Sequence, residues 1–176
     1  ALGTYADVAV LDYNNRILVD AGVKRIQQHQ CRVGILALLD IAGREATSIR
    51  AQDLGFVLGP RINAAGRMES MRIGIECLLA DTMETAYPIA QQLNQLNIDR
   101  RQIEGEMKQQ ALSALDSLQL SQQDIPAALV LFEENWHQGV IGIVAGRLKE
   151  QFHRPTIVFA PDEDGIHIKG SARSID

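Results

Sequence analysis

A long amphipathic segment, residues 82–118, constrains the fold more than any other part of the sequence. Its apolar residues recur at intervals of three, four or seven and are separated by Gln, Arg, Lys and Glu; they are Ile89, Leu93, Leu96, Ile103, Met107, Ala111, Leu115 and Leu118. This spacing predicts one continuous helix, which Pro88 is expected to start rather than bend. At about 1.5 Å per residue, such a helix would be about 55 Å long, more than the width of a small lobe. We therefore predict that it connects two bodies.

The sequence before this segment predicts a helix-rich lobe. Residues 33–42 form an apolar helical pattern that ends at Gly43. Residues 14–28 predict another helix behind an asparagine cap, with an apolar stripe formed by Ile17, Leu18, Val19, Val23 and Ile26.

Residues 48–68 contain several residues that interrupt helices, namely Gly55, Gly59, Pro60 and Gly66. We predict that the chain breaks or turns repeatedly there. Backbone amides near Arg61 and Arg67 would then be exposed.

After residue 126 the pattern becomes strand-like. Residues 127–132, 155–160 and 166–169 predict three short strands, and residues 139–151 predict a helix. A hairpin turn is expected at Asp164 and Gly165, and the acidic residues around it are better explained by the turn than as metal ligands. This part of the chain is predicted to be an α/β lobe.

The composition and net charge exclude few classes of function. A net charge of -5 argues against a protein that coats nucleic acid everywhere, but it permits a local basic groove. No apolar run reaches the roughly 18 residues needed to cross a bilayer, so we expect no membrane association and a cytoplasmic location. Cys31 and Cys77 are expected to be buried thiols. Because the sequence begins at Ala1 within an apolar run, we expect it to be part of a longer protein.

Two segments of the N-terminal half contain residues that packing alone does not explain. In LGTYADV, Asp7 is either a turn residue or a ligand for Mg²⁺ or Mn²⁺, since these cations prefer carboxylate oxygens. In GPRINAAGRM, Arg61 and Arg67 flank small residues and Asn63. Guanidinium groups can hold phosphate oxygens in pairs, and helix packing explains the small residues but not both arginines.

A third segment, NWHQGVIGIVAGRL, places Trp136 and His137 before a predicted helix N-terminus. Free amides there favour an anion, and an aromatic ring can stack on a base. A purely structural histidine is an equally open interpretation.

The fourth segment, KGSARS, follows a predicted strand. Its glycine, Gly170, is expected to be flexible, and a phosphate could be bound by its polar side chains, Lys169, Ser171, Arg173 and Ser174. A solvated surface turn is the alternative.

Taken in order, LGTYADV, GPRINAAGRM, WHQGVIGIVAGRL and KGSARSI resemble the successive motifs of RecJ-type exonucleases in the DHH phosphoesterase superfamily. The resemblance covers nearly the whole chain. It implies an α/β fold class with three parts: a helix-rich C-terminal part of a DHH lobe over residues 1–80, a long connecting helix over 81–120, and the N-terminal part of a DHHA1 lobe over 125–176.

The resemblance also implies a function, which is 5'-to-3' hydrolysis of single-stranded DNA with two Mn²⁺ or Mg²⁺ ions, in DNA repair and recombination. Asp7 matches the last metal-binding aspartate of the DHH lobe. The motif lining the substrate path contains Arg61, Asn63 and Arg67, and the contact region for the 5'-phosphate contains Ser171 and Arg173. Expected partners are single-stranded DNA, bound through its 5' end, and a single-strand-binding protein or a helicase.

The chain also departs from the family pattern. It has no Asp-His-His sequence and no paired aspartates before Asp7, and the later glycine- and histidine-rich motif is missing. We therefore expect the segment to be inactive by itself.

Two other functions stay open. One is an oligonucleotide or cyclic-dinucleotide phosphodiesterase of the same superfamily, which the long helix disfavours because those enzymes usually have short linkers. The other is a non-catalytic relative that binds nucleic acid or a protein partner. An Asp-His-His motif upstream in the full-length gene product would exclude this second alternative.

Overall fold

The computed structural model describes residues 1–117 and 126–175, and the chain divides into two compact units, Ala1–Asp99 and Arg100–Asp176. The boundary between them falls inside one long helix. The division into residues 1–80, 81–120 and 125–176 stays a prediction.

Within the described residues, all regular elements of the first unit are helices or helical turns. Its elements are α1 (Leu2–Ala6), α2 (Tyr13–Gln27), α3 (Val33–Ile41), a 3₁₀ turn (Ala46–Ser48), α4 (Ala51–Asp53), a π turn (Leu54–Leu58), α5 (Gly59–Met68), α6 (Met71–Leu79) and the first part of α7 (Met83–Ser117).

The core of this unit is formed by helix faces rich in Leu, Ile, Val and Ala, and at its centre lie Leu38, Leu39, Leu54, Leu58 and Leu93. Cys77 is buried in it as predicted. Cys31 is only half-buried, which corrects the expectation for that thiol, and both cysteines are free.

Helix α2 forms where the sequence predicts it, but its cap differs. The N-cap is Asp12, whose carboxylate accepts a hydrogen bond from the backbone N–H of Asn15 at 2.8 Å, so the predicted asparagine cap is wrong. The buried stripe, which consists of Val19, Val23 and Ile26, is narrower than predicted. Ile17 and Leu18 lie off this face and are 50% and 57% exposed.

The predicted breaks within residues 48–68 are largely absent. From Ala51 to Met68 the chain is continuously helical, through α4, the π turn and α5. Pro60 lies in the first turn of α5, where a missing N–H is tolerated. The backbone amides near Arg61 and Arg67 are therefore part of a helix and are not exposed as predicted.

Helix α7 confirms the long amphipathic helix. It begins at Met83, and the hydroxyl of Thr82 accepts from the N–H of Thr85 at 3.3 Å. Pro88 lies inside the helix, so it does not start it as predicted. The predicted end at residue 118 lies outside the described residues.

The second unit contains the rest of α7, followed by β1 (Leu129–Phe132), α8 (Ile141–Phe152), β2 (Thr156–Pro161) and β3 (Ile168–Arg173). The sheet order is β1-β2-β3, with β1 parallel to β2 and joined to it through α8, and β3 antiparallel to β2. The predicted turn between β2 and β3 is confirmed, with Gly165 at φ +67°. This helix-rich chain with a small mixed sheet confirms the α/β class.

Within residues 1–117 and 126–175, no helix is both long enough and apolar enough to cross a membrane.

Candidate nucleic-acid interface

The KGSARS segment is a strand up to Arg173, which corrects its prediction as a loop. Residues Lys169 to Arg173 belong to β3 and pair with β2, so the third strand is longer than predicted. Gly170 is opposite Phe159, and a Cβ on Gly170 would lie 2.5 Å from Cε1 of that ring. Gly170 therefore makes room for the aromatic ring within a regular strand, and flexibility is not its role.

The register of the hairpin explains which side chains of β3 come together. Ser171 pairs with Val158, and Arg173 pairs with Thr156, two residues of β2 that are fully buried. Alternate residues of a strand share a face, so Ser171 and Arg173 lie on the face of the sheet that α8 covers. Lys169 is on the same face by the same alternation.

The first turn of α8 approaches these two side chains closely at Gly142. A Cβ built on Gly142 would lie 2.9 Å from Oγ of Ser171 and 3.1 Å from Nη2 of Arg173. The Arg173 guanidinium also donates to Oγ of Ser171 at 3.2 Å through Nη1. A hydroxyl, a guanidinium and a helix N-terminus thus converge, and all three are groups that bind anions.

The loop before α8 is fastened to α7. Trp136 is only 5% exposed, and its indole N–H donates to Oε1 of Gln110 at 2.7 Å. A ring buried in this way does not offer a face to a base, so the predicted stacking role is not retained for Trp136. His137 is half-buried, and its Nδ1 accepts from the N–H of Gly139 at 3.0 Å. In the neutral ring this bond places the proton on Nε2, which is then a donor.

Gln138 links the same loop to the hairpin. Its side-chain oxygen accepts from Nζ of Lys169 at 3.0 Å, and its Nε2 donates to Glu163 at 2.7 Å. Lys169 is therefore held beside the N-terminus of α8. Ser174 follows β3 and is exposed, with its hydroxyl donating to the Ile175 carbonyl at 3.0 Å.

Asp164, in the hairpin, acts as a turn residue, as predicted. The carboxylate of Asp164 accepts from the His167 side chain and from the N–H groups of Ile166 and His167. These hydrogen bonds, led by the one from the His167 ring, hold the pKa of Asp164 below its usual value.

A further ionic contact that the sequence did not indicate joins α8 to α7. Glu104, only 16% exposed, accepts from Arg100 at 2.8 Å and from Arg147 on α8 at 3.3 Å. One carboxylate thus offsets charge on two arginines.

In the first unit, α5 separates the three predicted DNA-binding residues. Arg61 is half-buried, and its Nε donates to Oδ1 of Asn94 on α7 at 3.0 Å. Asn63 and Arg67 are four residues apart and share a different stripe of the helix. Asn63 is half-buried and Arg67 is exposed.

Asp7 lies at the C-terminal end of α1 and is exposed. Helix α1 packs closely on the helical segment that follows the 3₁₀ turn, because Gly55 and Gly59 leave room for Tyr5 and Ala6. Among residues 1–117 and 126–175, no group of three or more His, Cys, Asp or Glu side chains comes together as a metal site. The described residues therefore supply a single candidate carboxylate and not a complete metal centre.

Sequence reasoning did not select Gln110, Gln138 or Gly142 for this interface. The last two stand inside the WHQGVIGIVAGRL motif, so the motif itself was a signal for them. Gln110 lies in a different element, 26 residues from its partner Trp136, and nothing in the sequence pairs the two.

Comparison with known proteins is consistent with this geometry. The DHHA1 domain family matches residues 125–176. The protein named single-stranded-DNA-specific exonuclease RecJ from Dickeya dadantii is 51% identical over 175 residues, which is 99% of this chain and 30% of the relative. The protein of the same name from Haemophilus influenzae is 49% identical over 176 residues, with 100% and 30% covered. The chain thus spans about a third of the length of these relatives.

Solved structures also match nearly the whole of this chain. The crystal structure of RecJ in complex with Mn²⁺ from Thermus thermophilus superposes with a TM-score of 0.81 at 34% identity, covering 99% of this chain and 24% of that one. The Mg²⁺ complex from the same organism gives a TM-score of 0.81 at 34% identity, covering 99% and 26%.

Proposed function

We propose, from its similarity to RecJ proteins, that the chain is a segment of a RecJ-family protein and forms the part of a single-strand-specific DNA exonuclease that binds the 5' end of the strand. The observation that carries the proposal is the convergence of Ser171 and Arg173 on the first turn of α8 at Gly142. The proposed ligand of this cluster is the terminal 5'-phosphate.

The chemistry of the cluster favours a phosphate over other anions. Arginine offers a planar pair of donors that fits two phosphate oxygens, and the serine hydroxyl can donate to a third. The amides in the first turn of a helix have no acceptor within the helix and carry partial positive charge. A terminal phosphate carries about -1.5 to -2 charges at pH 7, more than a phosphate between two nucleotides, so the cluster should prefer a strand end.

Within the second unit, two neighbouring side chains extend the same surface. Lys169, held by Gln138, adds a positive charge, and Nε2 of His137 adds a donor. In the first unit, we propose that Arg61, Asn63 and Arg67 contact phosphates between nucleotides. We propose that Ser174 makes a further polar contact with the DNA.

Asp7 is proposed as one carboxylate ligand of Mn²⁺ or Mg²⁺, the ions named in the structures of the relatives. The described residues do not complete a site for these ions, so the remaining ligands must come from other parts of the full-length protein. The direction of digestion, the role in repair and recombination, a single-strand-binding protein or helicase as partner, and the cytoplasmic location stay predictions.

The test is binding of single-stranded oligonucleotides with a 5'-phosphate or a 5'-hydroxyl to the full-length protein, in an Asp7→Ala background to suppress turnover. Charge-assisted hydrogen bonds contribute about 1.5–3 kcal/mol, so Arg173→Ala should weaken binding of the phosphorylated strand by about one to two orders of magnitude. The 5'-hydroxyl strand should lose far less, since it lacks the partner of the deleted group. Arg173→Lys should lose much of the preference, because an ammonium does not reproduce the paired donors.

Arg101→Ala is the matched control, since it removes an exposed positive charge from the same unit. All measurements are made at one salt concentration. An equal loss for both strands would reduce Arg173 to general electrostatic attraction, and no loss for either would return this part of β3 to an ordinary solvated strand.

A further inference from the structure

We infer that Gln138 is a positioning residue, whose side-chain amide holds Lys169 beside the proposed phosphate site and separates it from the carboxylate of Glu163. The inference rests on the proposed function, because it assigns Lys169 to the terminal phosphate. It goes beyond that function by giving a role to a residue that acts through another side chain.

The amide of Gln138 bonds to two side chains of opposite charge. Its Oε1 accepts from Nζ of Lys169 at 3.0 Å, and its Nε2 donates to Oε1 of Glu163 at 2.7 Å. The amide therefore stands between the ammonium and the carboxylate. In the described part of the chain, Lys169 forms no direct ion pair, and Gln138 is the hydrogen-bond partner of its ammonium.

Glutamine is the residue type that suits both contacts. Its amide has an acceptor oxygen and an NH₂ donor group, so the cation faces the oxygen and the anion faces the nitrogen. A carboxylate at position 138 could not donate to Glu163, and a cationic side chain could not accept from Lys169. An apolar side chain would leave the ammonium and the Glu163 carboxylate to pair with each other.

The strand register places Lys169 on the same side of β3 as the proposed phosphate site. Lys169, Ser171 and Arg173 alternate along the strand, so their side chains lie on the face that α8 covers. Gln138 lies two residues before Val140, the N-cap of α8, and therefore holds the ammonium near the start of that helix. Gln138 is half-buried and Lys169 is exposed, so the better-fixed amide orders the more flexible lysine.

A second cation matches the charge that distinguishes a terminal phosphate from an internal one. A terminal phosphate carries about -1.5 to -2 charges at pH 7, more than the single charge on the guanidinium of Arg173 can offset. An ammonium held nearby offsets the remainder, whereas an ammonium paired with Glu163 would contribute much less. Gln138 should therefore raise the preference for a 5'-phosphorylated strand more than the general affinity for DNA.

The test measures the ratio of the dissociation constants for 5'-hydroxyl and 5'-phosphate oligonucleotides, in the full-length protein with Asp7→Ala at one salt concentration. Lys169→Met should lower this ratio by about tenfold, and Gln138→Met by about three- to fivefold. Gln138→Met should have no further effect in a Lys169→Met background, because the two residues act through one contact. Affinity for the 5'-hydroxyl strand should change little, which shows that each variant still folds.

Glu163→Gln provides a rescue that a merely structural role of Gln138 does not predict. Added to Gln138→Met, it should restore most of the lost preference, because the carboxylate that captures Lys169 is gone. Alone, it should change the ratio less than twofold, since an amide at that position still accepts from Gln138 and surface charges are screened.

Gln151→Met is the matched control, since it makes the same amide-to-thioether change at an exposed position of α8. The inference is overturned if Gln138→Met leaves the ratio as Gln151→Met does, if its effect persists without Lys169, or if Glu163→Gln restores nothing. In each of these cases Arg173→Ala would still remove the preference. If Arg173→Ala leaves the preference intact, the proposed function itself is rejected.

Discussion

At Gly142 the absence of a side chain decides how closely α8 approaches Ser171 and Arg173. A Cβ there would lie 2.9 Å from the serine Oγ and 3.1 Å from the arginine Nη2. Both atoms belong to side chains that can rotate away, so Gly142→Ala should disturb the cluster more than the fold. We expect about a tenfold loss of the preference for 5'-phosphorylated strands, the size of one charge-assisted hydrogen bond.

Gly146 provides the control on the same helix, because nothing lies within 4 Å of a Cβ placed there. Gly146→Ala should leave the preference unchanged and stabilise the helix by up to about 1 kcal/mol. Equal binding by the two variants in a titration with labelled oligonucleotide would contradict the proposed role of Gly142.

The two cysteines should differ in reactivity. Burial raises the pKa of the Cys77 thiol to about 11, and it raises the pKa of the half-buried Cys31 as well. Since the thiolate is the reactive form, Cys77 at pH 8 should react with a disulfide reagent only as fast as the protein opens, and Cys31 should react first. Quantified labelling over time, resolved by peptide mapping, would contradict this if both thiols reacted at one rate.

Among the helices, the contact between α3 and α6 depends on Gly34. A Cβ at this position would lie 1.9 Å from the Cys77 carbonyl oxygen, a backbone atom that cannot rotate away. Gly34→Ala should therefore destabilise the protein by about 1–3 kcal/mol, as overpacking does. Gly105→Ala on α7, where nothing lies within 4 Å, should instead be neutral or stabilising. Urea unfolding of the two variants measures both effects, and similar free energies of unfolding would contradict the close packing at Gly34.

The elements that could be predicted from the sequence are those with a local signal. Helix α7 was predicted from its periodicity, and the β2–β3 turn from Asp164 and Gly165. Gly and Pro interrupt these elements less than their local tendencies predict. Pro60 is accommodated in the first turn of α5, and Gly170 is required in β3 by the ring of Phe159, so packing between elements overrides the local tendency.

The candidate site was predicted by motif and not by geometry. Ser171 and Arg173 were selected from the sequence, but their approach to Gly142 depends on how α8 packs on the sheet. The sequence predicts base stacking for Trp136 because it does not show that Gln110 accepts a hydrogen bond from the indole N–H. Contacts between residues far apart in the chain have no local signal, and these contacts build the site.

At the scale of the whole chain, we expect that the 176-residue segment, purified by itself, has no nuclease activity above background. Metal-assisted hydrolysis needs several ligands. Among the described residues, no three His, Cys, Asp or Glu side chains come together as a metal site. Incubation of the purified segment with labelled single-stranded DNA and Mn²⁺ measures this. Strong release of mononucleotides, unchanged by Asp7→Ala, would contradict the proposed division of the metal site.

The net charge of -5 gives no indication of DNA binding, because the proposed ligand is recognised by a local cluster of donors.

The most direct measurement of where the 5'-phosphate binds is a crystal structure of the full-length protein, as Asp7→Ala, with a 5'-phosphorylated oligodeoxynucleotide. The terminal phosphate oxygens should lie about 2.7–3.2 Å from Ser171 Oγ, the Arg173 guanidinium and a first-turn amide of α8. A terminal phosphate bound elsewhere, with Ser171 and Arg173 contacting only solvent, would contradict the proposal.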